Sequence, residues 1–496
     1  MGLRGETPAR SHSPLRSGLL TGLAQIVLAL AAAGAGALLA QKFGRTAETD
    51  GFLAAYGVYI VLVLAAQAFR LVVVPDLTRA AADGRLGGES LAYARAFLVL
   101  AVPASTVVAI FSAPLGDLIT GSLPPRSAHI AGRALAILVP AAFGQLLAAL
   151  AASTLAAVDS YGTAAAGFAS GGIVGLIVFA VLAGPEGIVG LAIGLAANAG
   201  IAIAVPLYGL WRRGVYRGPH VAQAAVLSRL GHLLQGAAVP LALQGCYFLA
   251  LRFSAKLGVG SVTSFSYAYL AASTLVTATA FSLGVISSAP LTRRGVDPQE
   301  AGEHVVHAGW VSLSLVGAAA GIFALVGGRI VEFVLGDAYG GQVGRQLGHL
   351  VAYLSPWMVG WVGFAVTFPL VFVGAKRSLL VPLGLVGFAL CIPLGLGLRS
   401  LWGLPGIAVA IGISTLLIAL GLMSMIGRAA LGIAALGLAR LALMVGAAAA
   451  LAFGGLSLAF SPVPAAVLGL VVYGLMIFAV RSYGLTAAWA YVRGLH

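Results

Sequence analysis

The chain has 496 residues, 60% of them hydrophobic and only 8% charged, with a formal charge of +14 and a mean hydropathy of +1.04. A soluble globular protein carries about 25% charged residues, so a water-soluble enzyme is excluded. The cations sit in short segments between apolar runs, where the bias of Lys and Arg toward the cytoplasmic side of a membrane accounts for them better than nucleic-acid binding does.

Apolar runs of about 20 residues predict membrane-spanning helices. Fourteen occur, at 19–40, 52–75, 97–115, 134–158, 164–182, 188–210, 234–251, 266–289, 310–326, 350–373, 379–396, 404–426, 441–460 and 463–480. The first follows a basic tail (Arg4, Arg10, Arg16) and, at 22 residues, exceeds the roughly 7 to 15 of a signal-peptide core, so it is read as an uncleaved span. With both termini in the cytoplasm, eighteen Lys and Arg lie inside against nine outside. The opposite orientation reverses that ratio.

The longest basic segment between spans, 211–233, holds Arg212, Arg213 and Arg217 and then the amphipathic stretch HVAQAAVLSRLGHL. It reads as a solvated linker or as a helix on the inner membrane surface. It divides a tail (1–18) and a first six-helix lobe (19–210) from a second six-helix lobe (234–426) and two extra helices with a tail (427–496).

At an offset of 214 residues the halves align without a gap across one loop, span and loop. Lys42-Phe43-Gly44 meets Lys256-Leu257-Gly258, Thr49 meets Thr263, Ala54 meets Ala268, and Leu77-Thr78-Arg79 meets Leu291-Thr292-Arg293. Two of only three lysines thus occupy equivalent positions. A duplicated unit with an even number of spans re-enters the bilayer in the same sense, so the pseudo-two-fold axis is expected along the membrane normal. The predicted fold is an all-α polytopic membrane protein of about fourteen helices, two lobes plus two C-terminal helices.

No nucleotide-binding, metal-ligand or nucleophile motif is present. Cys246 and Cys391 both fall within apolar runs, which argues against a disulfide framework. No cofactor and no enzymatic reaction are expected.

The stretch Phe43-Gly44-Arg45-Thr46-Ala47-Glu48-Thr49-Asp50-Gly51-Phe52-Leu53-Ala54-Ala55-Tyr56 resembles the FGAGxxTDAFFxAF signature that follows the first helix of the MurJ (MviN) lipid II flippases. These belong to the multidrug/oligosaccharidyl-lipid/polysaccharide exporter superfamily. Gly260-Ser261-Val262-Thr263-Ser264-Phe265-Ser266-Tyr267-Ala268-Tyr269 resembles the stretch before that family's eighth helix, and Pro75 and Pro290 fall where the family closes its second and eighth helices. The resemblance implies a flippase of the plasma membrane that moves a polyprenyl-linked saccharide, a peptidoglycan and cell-wall precursor, to the outer leaflet. It further implies contacts with membrane lipids, and a groove for the lipid tail beside the last two helices. The family's cavity arginines fall opposite Ala29, Ala35, the 61–63 stretch and Leu270 here, and of that polar set only the acidic position survives, as Asp50.

Candidate substrate-binding residues follow. Arg70 is a charge well inside a predicted span, either an anion-binding group or a side chain snorkelling to the boundary at Pro75. Arg252 and Lys256, four apart on one helix face, form with Lys42 either a basic rim for an anionic headgroup or ordinary interfacial anchors. Asp50 is either a substrate contact or a latch paired with its cationic neighbours Lys42 and Arg45. Two functional classes remain: an alternating-access flippase, or a non-transporting scaffold for cell-envelope synthesis proteins. An exporter of another polysaccharide lipid or of drugs is a nearer alternative to the first.

Overall fold

The computed structural model describes residues 14–158, 160–217, 226–276, 297–373 and 377–480, and among them there are helices and turns but no strand. Helices α1 (Pro14–Phe43), α2 (Ala47–Ala82), α3 (Leu86–Ile110), α4 (Ser112–Thr120), α5 (Pro125–Ala156), α6 (Tyr161–Leu182) and α7 (Val189–Arg212) form the first half. Helices α8 (Val226–Ala255), α9 (Ser261–Val276), α10 (Pro298–Leu335), α11 (Gly341–Tyr353), α12 (Ser355–Val373), α13 (Leu380–Trp402) and α14 (Leu404–Ile426) form the second. Then come α15 (Arg428–Ala449) and α16 (Pro462–Ala479). The N-termini of α2 and α9 share one end of the bundle, where Asp50 meets Gly260 and Thr263, here the upper end. Those of α3 and α8 share the lower end.

Ten helices are long and apolar enough to cross a membrane, and eleven when α11 and α12, bent by 42°, count as one. The expected fourteen are not reached among the described residues; α1, α2 and α9 are not among the ten, and α9 runs into residues outside the described ones. At 36 residues, α2 measures about 54 Å against a hydrocarbon core of about 30 Å. Its surplus turns carry Glu48 and Asp50 at one end and Asp76 and Arg79 at the other.

Helix pairing is similar in the two halves: α1 packs on α6, α5 on α7 and α6 on α7, while α8 packs on α13, α12 on α14 and α13 on α14. The Lys-x-Gly turns after α1 and α8 both need a left-handed residue, which glycine adopts without a Cβ penalty: Gly44 has φ 59° and Gly258 φ 103°. Arg293 and Pro290 lie outside the described residues. α15 and α16 pack on α10, where the Tyr473 hydroxyl donates to the Ser314 carbonyl at 2.7 Å. A π-helical turn at 450–454 seats Phe453 against Gly321 and Gly469.

Lipid tails are as apolar as the side chains, so helices associate through close packing of small residues rather than through the hydrophobic effect. Gly51 on α2 is the tightest such point with α5: a Cβ there would lie 2.2 Å from the Ser127 carbonyl oxygen. A Cβ at Gly36 meets nothing within 4 Å. Gly51→Ala is therefore expected to destabilise by about 1–3 kcal/mol, while Gly36→Ala is neutral or stabilising by up to about 1 kcal/mol. Thermal denaturation of the two variants in detergent, read by loss of the monodisperse peak, checks the contrast.

Candidate functional site

At the upper end the two halves are tied by side chains reaching to backbone. Thr46 caps α2, accepting from the Thr49 amide at 3.3 Å, and this sets the first turn so that Asp50 points across the boundary to α9. The Asp50 carboxylate, fully buried, accepts from the Gly260 amide and from the Thr263 amide (2.9 Å) and hydroxyl. It acts as an N-cap borrowed from the other half, where the positive end of the α9 dipole and orphan amides meet a negative charge. Arg45 completes the clasp by donating to the Gly260 carbonyl at 3.0 Å.

Further ties surround it. Gln41 donates to the Val334 carbonyl (3.2 Å), Tyr339 to the Gly44 carbonyl (3.1 Å), Tyr267 to the Gly36 carbonyl (3.3 Å) and Ser122 to the Ala255 carbonyl (3.3 Å). Burial raises the Tyr339 phenol above its ordinary pKa, so it remains a protonated donor.

The predicted basic residues divide. Lys42 and Lys256 are exposed and engage no carboxylate within ion-pair distance. Arg252 is half-buried and folds over Gly121 in the turn between α4 and α5. Of the set only Asp50 joins the clasp, and its cationic neighbour there is Arg45. Arg70 lies on α2, but its side chain is outside those described.

Between the ends, α2, α8 and α9 meet through phenols and hydroxyls. Tyr56 comes within electrostatic reach of Tyr247 and Tyr267. Tyr247 stacks on Tyr269 at 4.0 Å, and Tyr269 leans on Trp357 of α12 at 4.7 Å. The Tyr247 hydroxyl donates to Ser266 at 3.5 Å and that of Tyr269 to Gln244 at 3.3 Å. Gly57 admits Leu251, whose side chain lies 2.4 Å from where a Cβ would be, so α2 and α8 close on each other here. This stretch carries no charged side chain on residues 30–41, 51–63, 230–251 or 261–276.

The lower end is closed by an ion pair. Glu89 in the first turn of α3 accepts from Nη2 of Arg229, in the first turns of α8, at 2.8 Å to either oxygen. Arg229 is 2% exposed and lies over the Tyr93 ring at 5.1 Å. Tyr93 donates in turn to Asp76 of α2. The short turn Val215–Arg217 seals the same corner: a Cβ on Gly87 would lie 2.2 Å from the Val215 carbonyl oxygen, and Val215 and Tyr216 pack on Leu155 and Leu210.

Sequence reading placed Arg229 in a basic linker. The structure starts α8 at Val226 and buries the side chain. The amphipathic period of 220–233 was the signal that could have revealed it, because an arginine on the apolar side of a helix facing protein rather than water needs an acidic partner.

Asp50→Ala leaves the α9 amides without an acceptor, so amide hydrogen exchange over 260–264 is expected to accelerate at least tenfold, about 1.4 kcal/mol of local opening. Unchanged protection there refutes the capping role. At the lower end, Arg229→Met or Glu89→Leu alone is expected to cost about 3–5 kcal/mol, and the double variant to recover most of it, since a lone buried charge costs more than an absent pair. Unfolding in mixed detergent micelles measures both, and equal stability of singles and wild type refutes the pair's burial.

No protein-family model and no curated protein matches the sequence. Among solved structures, the chain is similar to the lipid II flippase MurJ in an inward closed conformation, with TM-score 0.69 and 15% identity over 94% of this chain and 99% of that one. An inward-facing multidrug-resistance MATE transporter of the MOP superfamily gives TM-score 0.63 and 13% identity over 86% and 98%. A eukaryotic MATE transporter gives 0.60 and 15% over 86% and 99%. With both ends of the boundary closed and the helices paired alike in each half, the chain carries the fold shared by MurJ and the MATE transporters of the MOP superfamily.

Proposed function

We propose that the protein is an alternating-access transporter that moves a lipid-linked saccharide between leaflets. The carrying observation is the boundary itself: polar, breakable ties close it at both ends, and a neutral band of phenols and hydroxyls lies between them. Rigid-body rocking of 19–210 against 234–426, two lobes related by a pseudo-two-fold along the membrane normal, opens one end while the other stays shut. The recurring α1/α6 and α8/α13 pairing supports this duplication. In this reading the upper end faces outward and both termini lie in the cytoplasm.

Aromatic faces and hydroxyls suit a saccharide head, which offers C–H surface for stacking and hydroxyls for hydrogen bonds. The polyprenyl tail runs in lipid along α15 and α16. Lipid II is the cargo of the MurJ neighbour; here the neutral band in place of arginines favours a related polyprenyl-linked glycan whose head is held more by its sugar than by its phosphates. The same neutrality also favours a second reading, a non-transporting scaffold that binds cell-envelope synthesis proteins.

The test is a fluorescent polyprenyl-linked saccharide in proteoliposomes, followed by quenching at the outer surface. Cysteines at Gln41 and Val334, in a background lacking Cys246 and Cys391, are bridged by a bifunctional maleimide to fix the upper end shut. Bridging is expected to reduce flipping by more than tenfold, and Tyr56→Leu with Tyr267→Leu to slow it severalfold. Flipping that persists after bridging ends the alternating-access reading; no flipping by the unmodified protein leaves the scaffold.

A further inference from the structure

Arg229 is the only buried arginine among the described residues. Its guanidinium nonetheless uses one nitrogen. Nη2 alone contacts Glu89, shared between both carboxylate oxygens, while Nε and Nη1 are buried and meet no acceptor among the described residues. Guanidinium binds a carboxylate or phosphate best through two parallel bonds along one edge. Both edges that contain Nη2, one with Nε and one with Nη1, are therefore half used, and Glu89 is held by less than the site can supply.

Arg229 lies on the lower boundary between the halves, and its helical neighbours Ser228 and His232 are exposed, so the buried group is one layer beneath the surface. Carboxylate has two oxygens to share with one guanidinium, and a phosphate brings three, enough to fill an edge and still accept from a second donor. Asp76 is engaged with Tyr93 and Arg79, and the anion on Arg229 is Glu89.

We propose that Arg229 is an anion-exchange site: the phosphate of an amphiphile in the inner leaflet displaces Glu89 from the guanidinium. Because the displaced contact is the ion pair that ties α3 to α8, anion binding releases the lower end. This rests on the transport reading for the identity of the amphiphile, and it assigns recognition of phosphate to the lower mouth rather than to the uncharged middle. Glu89 holds the site closed when no phosphate is present, and Tyr93 supports the cation through its ring face.

The experiment uses full-length protein in phosphatidylcholine nanodiscs, with a polyprenyl diphosphate as the probe and intrinsic tryptophan fluorescence as the readout. Arg229→Lys, which keeps the charge and loses the fork, is expected to weaken binding at least tenfold, and Arg229→Gln to abolish it. Glu89→Gln, which removes the competitor, is expected to tighten binding severalfold. If Arg229→Gln does not fold, Arg229→Lys decides alone.

Wild-type affinity in the Arg229 variants overturns the proposal, as does weaker binding in Glu89→Gln. Inorganic pyrophosphate binding as tightly as the lipid shows a soluble-anion site, and phosphatidylglycerol binding as tightly shows a bulk-lipid contact; either overturns the assignment to a particular amphiphile. Flipping measured in parallel separates the two readings. Transport that is indifferent to Arg229 removes this site alone, whereas Arg229-dependent binding without flipping removes the transport reading alone.

Discussion

A helix that begins inside a membrane protein has amides with no intrahelical acceptor, and lipid offers none. α9 meets this constraint by taking its cap from α2: Asp50 accepts from Gly260 and Thr263, residues 210 and 213 positions away. The rest of the upper end is arranged around that bond. The left-handed Gly44 turn places Thr46, Thr46 sets the first turn of α2, and Gly51 lets α2 lie against α5 closely enough to hold the carboxylate in line with the α9 axis. A side chain that serves the other half's backbone makes the closure part of the fold.

The two closures differ in kind. The upper one is distributed over several neutral or charge-assisted bonds from side chains to carbonyls and amides, each worth about 0.5–3 kcal/mol. The lower one concentrates on a single buried ion pair, where Coulombic gain competes with desolvation and loss of either partner is costly. Between them, α2, α8 and α9 meet through ring faces and hydroxyls.

The fold was largely legible in advance. Hydropathy over windows of about 20 residues located apolar helices among the described residues, and the Lys-x-Gly turns at Lys42 and Lys256 both carry a left-handed glycine, because a left-handed residue after a helix is a local demand written in one glycine. Asp50 was visible as the acidic position of a short motif, whereas its acceptance of the Gly260 and Thr263 amides at the start of α9 was not. Arg252, Lys42 and Lys256 were grouped by helical spacing and repeat register, and the structure places them around the upper end without bringing them to one point.

Sequence by itself determined that this chain crosses a membrane many times, which faces of its helices are small, and where its turns fall, since each follows from residue composition or spacing within one or two helical turns. Tertiary structure alone decided which charges are buried and with what. Arg229 reads as one more cytoplasmic cation until α3 brings Glu89 to it from 140 residues away, and Tyr56 is only the last residue of a short motif until α8 and α9 set their phenols near it. The physical reason is range: hydropathy and backbone preference are properties of contiguous residues, whereas the cost of a buried charge depends on a partner that only the packing of separate helices supplies.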